Sequence, residues 1–234
     1  MRANDLPEVR ALPLFRSMEP ENFSELMNAA YLQRFPRQVD LIFEGEPADF
    51  LYIVVEGCVE LFSRHAARET TLAMVRPVRS FILAAVIRDA VYLMSARTTE
   101  VSRLLMIPSE NIRAAFEKDA AFARAIVTEL AVGFRTMVKE YKALKLRSGT
   151  ERLAARLLIQ NDAQGGTGRV VLPYDKKTLA SLLGMTPENL SRSFAALKKY
   201  GVGVDGNTID ITDIEAVKRF CRPSVLIDAD EDIF

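Results

Sequence analysis

The sequence is poor in the residues that build metal and redox centres. Its two cysteines, Cys58 and Cys221, lie far apart, His65 is the single histidine, and no CxxC or Cys/His cluster occurs. No metal site is expected, and an iron–sulfur cluster held by the chain's own cysteines is not expected either. A paired nucleophile and base and a Gly-rich phosphate loop are also missing, which argues against an enzyme. Net charge is absent as well: 31 Lys and Arg balance 31 Asp and Glu, so no global field steers the chain to nucleic acid or to a membrane. The most apolar stretch, residues 81–94, contains Arg88 and Asp89 and is too short to span a bilayer. The N-terminus opens on charged residues rather than a basic stretch leading into an apolar core. That reads as no secretory signal and a cytoplasmic protein without membrane association.

What is present is enough for two domains. The chain has 234 residues, 49% of them apolar, so it can bury a sizeable core. Charge is unevenly placed within the neutral total. Residues 175–200 hold Lys176, Lys177, Arg192, Lys198 and Lys199 against only Asp175 and Glu188. The last seven residues hold Asp228, Asp230, Glu231 and Asp232 and no base. A local basic face is therefore compatible with a net charge of zero.

Residues 36–107 read as short strands and turns. Leu51-Tyr-Ile-Val-Val is β-branched and aromatic, Glu56-Gly57 turns, and Cys58-Val-Glu-Leu-Phe continues, which suggests a barrel or jelly roll. Before them, residues 20–30 form a short amphipathic pattern with Phe23, Leu26 and Met27 inward. Residues 110–147 contain no Pro or turn cluster and read as one long helix. Ile126, Gly133 and Glu140 recur every seven residues, as do Leu130, Met137 and Leu144. We expect Ile126, Leu130, Gly133, Met137 and Leu144 to form the seam of a homodimer. A stripe covering the β domain of a monomer is the alternative.

The most informative stretch is 178–201. Asp175 caps a short helix whose apolar residues are Leu179, Leu182 and Leu183, and Gly184 supplies a tight turn. Thr186 caps a second helix with Pro187 at its first position, and Gly201 closes it. Leu190, Phe194 and Leu197 should face the core, leaving Glu188, Ser191 and Arg192 on the opposite side. An ordinary amphipathic hairpin shares each feature singly; together they read as a helix-turn-helix offering those three side chains to the major groove. Arg192 suits guanine O6 and N7, Glu188 a cytosine amino group, and Ser191 a neighbouring thymine. Lys176, Lys177, Thr186 and Asn189 are expected phosphate contacts, with a solvated surface as the alternative. Ser148 and Glu151 form a capping box that opens the preceding helix, and Val202-Gly-Val-Asp-Gly-Asn-Thr-Ile-Asp-Ile alternates around an Asp-Gly turn, as a wing does.

Three blocks resemble the CRP/FNR family of bacterial transcription regulators: Phe43-Glu-Gly-Glu-Pro with Leu51-Tyr-Ile-Val-Val-Glu-Gly-Cys-Val, the long helix, and Gly184-Met-Thr-Pro-Glu-Asn-Leu-Ser-Arg. The last, with its Glu-x-x-Ser-Arg arrangement, resembles the FNR and FixK branch. The resemblance implies an α+β chain: a β-roll sensor like a cyclic-nucleotide-binding jelly roll over 1–115, and a dimerisation helix over 116–147. A winged helix-turn-helix over 148–222 follows, and then an acidic tail over 223–234. It further implies a TTGAY-type palindrome on double-stranded DNA and recruitment of RNA polymerase as an activator. The alternative is a ligand- or protein-binding module whose C-terminal domain serves assembly only.

The sensor half departs from that family's cyclic-nucleotide pocket. An acidic residue for the ribose would fall at Leu83 or Ala84, and the Arg-Ser pair for the phosphate near Val91-Tyr92. Cyclic AMP is thus not expected, and the N-terminal cysteine cluster of the oxygen-sensing branch is missing. Haem at His65 with Cys58 and a thiol switch at Cys221, beside Arg222, are minor readings; an apolar ligand and no ligand at all stay open.

Overall fold

Short β-branched runs broken by turns cannot bury both faces alone, so they pair into two layers. A computed structural model describes residues 3–66 and 68–229. The chain divides into two compact units, one running to Gly133 and the other from Phe134 onward. In the first, α1 (Leu6–Arg10) and α2 (Pro20–Asn28) precede β1 (Tyr31–Phe35), β2 (Asp40–Ile42), β3 (Phe50–Glu56) and β4 (Val59–His65). Then come β5 (Arg68–Val75), β6 (Arg79–Phe81), α3 (Leu83–Arg88), β7 (Ser95–Thr98) and β8 (Ser102–Pro108). One sheet runs β1-β8-β3-β6 and the other β2-β7-β4-β5, every pairing antiparallel. Neighbours in sequence often change sheet, as a jelly roll requires.

Gly57 makes the β3–β4 turn at φ +89°, where an added Cβ would stand 2.7 Å from the Val101 carbonyl oxygen. Only glycine fits there. Leu51, Leu105 and Ile107 on one face of the β1-β8-β3-β6 sheet and Val54 and Leu104 on the other are fully buried, and Phe23, Leu26 and Met27 face inward from α2 as their spacing predicts. The unit is closed by α4 (Ser109–Lys118) and the start of α5 (Ala120–Leu146), through Ile112, Phe122 and Ile126. Each such side chain contributes roughly 1.5–3 kcal/mol by leaving water.

Two expectations for this helical stretch need correcting. It is not one helix, because Asp119 takes an extended conformation and breaks it. Its Oδ1 accepts from the Phe122 amide at 2.9 Å, capping α5, while Oδ2 accepts from the Glu19 amide and Asn22 Nδ2. Ile126 is not in the seam either: it is fully buried among the core residues of the first unit, out of a partner's reach. The exposed apolar residues are Val127, Phe134 and Tyr141 at seven-residue intervals, with Met137 and Leu144 three places after the last two. Leu130 belongs to the same series and is half-buried, whereas Gly133 is exposed at its edge. The exposed apolar stripe is thus shifted by one residue from Ile126-Gly133-Glu140.

The second unit takes the remainder of α5, then α6 (Gly149–Ala163), β9 (Arg169–Val171), α7 (Lys176–Leu182) and α8 (Pro187–Leu197). It ends with β10 (Val202–Asp205), β11 (Thr208–Ile211), α9 (Ile214–Cys221) and α10 (Val225–Asp228). A separate core gathers Leu153, Leu157, Leu179, Leu197, Ile209 and Val217, all fully buried. Ser148 and Glu151 form the expected capping box on α6. The segment read as an acidic tail starts in ordered structure. Asp228 accepts two bonds from Arg147, at 2.5 and 2.7 Å, and one from the Ser224 amide. Residues 230–234 lie outside the described residues. Among those described, no helix is long and apolar enough to cross a membrane.

Candidate nucleic-acid interface

Capping and periodicity set the geometry of the α7–α8 pair. Asp175 Oδ1 accepts from the Thr178 amide at 2.7 Å and starts α7; Thr186 Oγ1 accepts from the Asn189 amide at 3.3 Å and starts α8. Pro187 occupies a first-turn position whose amide has no helical partner to lose. The turn between them passes through Gly184 at φ +60°. Leu190, Phe194 and Leu197 are buried in the second core, as are Leu179 and Leu183, while Leu182 is half-buried. This amphipathic split decides what faces solvent: Glu188, Asn189, Ser191, Arg192, Ala195 and Ala196 are all exposed.

Glu188, Ser191 and Arg192 therefore share one exposed face, because residues three and four apart are neighbours on a helix. The Glu188 carboxyl is held below its ordinary range, first by its own backbone amide, then by the Thr186 hydroxyl and the Arg192 cation. It is an anion that only accepts hydrogen bonds, as a cytosine amino group requires. The Ser191 hydroxyl donates back to the Pro187 carbonyl at 3.0 Å and keeps its acceptor side outward. Lys176 and Lys177 are exposed in the first turn of α7, with Lys176 Nζ 6.0 Å from the Phe194 ring centre. Behind α8, β10 and β11 form the wing, their register closing at Asp205–Thr208, and β9 pairs on the far side of β11.

The structure adds a feature that spacing did not disclose. A shallow groove of about 460 Å³ runs along α8, lined by Asn189, Arg192 and Ser193 on one side and by Gly149, Thr150 and Arg152 of α6 on the other. Thr150 Oγ1 lies 3.1 Å from Ser193 Oγ, so α6 starts directly against the exposed helix. The capping box marked where α6 begins, but nothing in sequence spacing shows which helix it meets.

In the first unit, the positions that the resemblance sets against a cyclic-nucleotide pocket lie in and around α3. Leu83 is buried where an acid would be needed, and Tyr92 is buried with its hydroxyl 3.3 Å from the Phe50 carbonyl oxygen. Tyr52 stacks on Phe81 with ring centres 5.3 Å apart. Arg88 is exposed, and Arg97 is committed to Glu60 and Glu69, each at 2.7 Å, with its guanidinium over Phe62. No buried cation is left over for a phosphate at these positions. Cys58 and His65 sit at opposite ends of β4, about 23 Å apart at strand rise, so they cannot share one haem or metal. Burial pushes the Cys221 thiol up to about 11 despite the nearby Arg147, and raises the Cys58 thiol too.

Comparison with known proteins agrees with this division. Residues 32–119 match the family model of a cyclic nucleotide-binding domain, and residues 151–220 that of a Crp-like helix-turn-helix domain. The chain is 24% identical over 215 residues to a CRP-like cAMP-activated global transcriptional regulator of Mycobacterium tuberculosis (strain CDC 1551 / Oshkosh), covering 89% of this chain and 96% of that protein. It is 36% identical to the nitrogen fixation regulation protein FixK of Rhizobium meliloti (strain 1021) over 74 residues, 31% of this chain and 35% of that one. The solved structure of FixK2 from Bradyrhizobium japonicum shares the fold, with a TM-score of 0.68 at 20% identity over 87% of this chain and 99% of that one. The cyclic nucleotide-binding domain model and the Crp-like helix-turn-helix model, which together match well over half of the sequence, place this chain in the CRP/FNR family of DNA-binding transcription regulators.

Proposed function

We propose that the chain works as a homodimer on a TTGAY-type palindrome, needs no cyclic nucleotide to do so, and activates transcription by recruiting RNA polymerase. The observation that carries the reading is the exposed face of α8, where Glu188, Ser191 and Arg192 project together from a helix fixed by its cap and its core. Arg192 reads guanine, Glu188 accepts from the cytosine amino group, and Lys176, Lys177, Thr186 and Asn189 hold phosphates and set register. The heptad of Val127, Phe134 and Tyr141 with Leu130, Met137 and Leu144 supplies the dimer seam, and two-fold symmetry in the protein calls for two-fold symmetry in the site. Leu83, Tyr92 and the committed Arg97 support a regulator that works without a cyclic nucleotide.

The test is binding of the purified, reduced protein to a labelled TTGAT-N4-ATCAA duplex, with and without cyclic AMP. We expect tight binding that weakens steeply between ~50 and 200 mM salt, as counterion release requires. Arg192→Ala should abolish discrimination at the guanine, and cyclic AMP should change nothing. Binding that requires the nucleotide, or that survives Arg192→Ala with its sequence preference intact, overturns the proposal.

A further inference from the structure

The wing differs in charge from the helices it accompanies. Lys176 and Lys177 start α7 and Lys198 and Lys199 follow α8, yet residues 201–217 hold Asp205, Asp210, Asp213 and Glu215 and no Lys or Arg. Three of these carboxylates serve the unit itself. Asp213 caps α9 by accepting from the Ala216 amide at 2.8 Å, Glu215 pairs with Lys218 at 3.0 Å, and Asp210 stands opposite Arg169 across the β11–β9 pair. Asp205 is the exception: it is exposed at the end of β10, and among the described residues nothing pairs with its carboxylate. Its place is nonetheless fixed. Asp205 faces Thr208 in the hairpin, whose turn passes through Gly206 at φ +57°. The Asn207 carbonyl accepts from the Leu172 amide at 2.9 Å. Asp175, the cap of α7, follows three residues later, so at most about 14 Å of chain separates this anchor from Lys176. The wing tip is thereby tied to the approach of the helix that carries the expected phosphate-binding lysines.

We infer that Asp205 is an electrostatic stop on the wing, which holds down the sequence-independent affinity of this chain for duplex DNA. The inference rests on the reading of α7 and α8 as the DNA-facing pair. Duplex DNA carries one negative charge per ~1.7 Å of its axis, so a backbone seated on Lys176 and Lys177 brings further phosphates to the wing tip. A free carboxylate there repels them over a Debye length, whereas a cation would release a counterion and add affinity on any sequence. With that attraction held down, retention on DNA depends on the base contacts of Glu188, Ser191 and Arg192, and unrelated sequences are vacated.

Fluorescence anisotropy of the full-length protein on two labelled duplexes is the test, one carrying TTGAT-N4-ATCAA and one of unrelated sequence, across ~50–200 mM salt. Asp205→Lys should tighten binding to the unrelated duplex roughly threefold or more at the low-salt end and steepen its log–log salt slope by about one. Asp205→Asn should tighten it about twofold, with a smaller change in slope. A phosphate contact acts alike on all sequences, so the ratio of the two affinities should stay within about twofold of the parent's. Unchanged affinity and slope in both variants overturns the inference, and so does weaker binding by Asp205→Lys. Where the lysine disturbs folding by circular dichroism, Asp205→Asn decides alone: tighter binding supports the inference and unchanged binding overturns it. A parent that holds both duplexes equally well overturns the base reading by α8 and leaves the Asp205 comparison standing. A parent that binds neither duplex at ~50 mM salt overturns both.

Discussion

Phe122 and Phe134 sit on one helix and meet opposite surroundings. Phe122 is fully buried, stacked on Phe15 with ring centres 5.9 Å apart, whereas Phe134 is 70% exposed. Charged side chains divide the same way. Arg97 in the β-roll is spent on two carboxylates and an aromatic face, while Glu188, Ser191 and Arg192 are held by their own helix and turned outward. Groups that satisfy one another hold a fold, and groups held in place but left open are available to a partner. Apolar content alone does not tell the two apart.

The largest effect should come from the packed side. Phe122→Ala should cost about 3–5 kcal/mol in urea unfolding, whereas Phe134→Ala in dilute, monomeric protein should stay within ~0.5 kcal/mol. Equal costs would erase the contrast between the two halves of α5. Next, Arg147→Met leaves the Asp228 carboxylate nearly buried without its cation and should destabilise the second unit by about 3 kcal/mol. A change below ~0.5 kcal/mol would show that residues 224–228 are not held by that pair. Arg192→Ala sharpens the open side: ~1–3 kcal/mol of discrimination lost at the half-site guanine, with the melting temperature unchanged.

The smallest effect is acid sensitivity. Burial disfavours the charge on Asp119, but Asn22 and the amides of Phe122, Glu19 and Ala121 outweigh it and hold the carboxyl below its ordinary range. Asp228 is likewise depressed, burial being overcome by Arg147 and the Ser224 amide. Groups depressed in the folded state stabilise above their unfolded pKa, about 3.9, and lose that contribution as pH falls through the folded value. Stability contributed by these two should therefore be constant from neutral pH down to about 5 and fall below about 4. Asp119→Asn should flatten that acid limb; an unchanged limb would mean that the cap is not coupled to folding.

The two faces of α8 were legible in the sequence because caps and three-to-four spacing are local: Thr186 starts the helix, and Leu190, Phe194 and Leu197 mark its inner side. The β-roll was legible through Gly57 and the runs around it. Ile126 was read as part of the outward stripe because it is as apolar as Val127, and only the β-roll packed against that part of the helix decides which one is buried. Asp119 was missed as a break since no Pro or Gly marks it, and its partners Glu19 and Asn22 are distant in sequence. The Arg147–Asp228 pair and the groove beside Thr150 are tertiary events with no local signature.

The joint between α5 and α6 has a mechanical consequence. Arg147 grips Asp228 and the Arg222 carbonyl with its side chain, while its own carbonyl oxygen accepts from Arg152 Nη1 at 2.7 Å, and Arg152 Nε also donates to the Leu183 carbonyl at the end of α7. One short stretch of backbone is thereby tied to residues 222–228, to α6 and to the start of the turn that leads into α8. The end of α5 is thus keyed to α6 and to the α7–α8 turn by side-chain-to-backbone hydrogen bonds. A torque on that end of the helix would be handed to the helix-turn-helix pair through two guanidinium groups, Arg147 and Arg152.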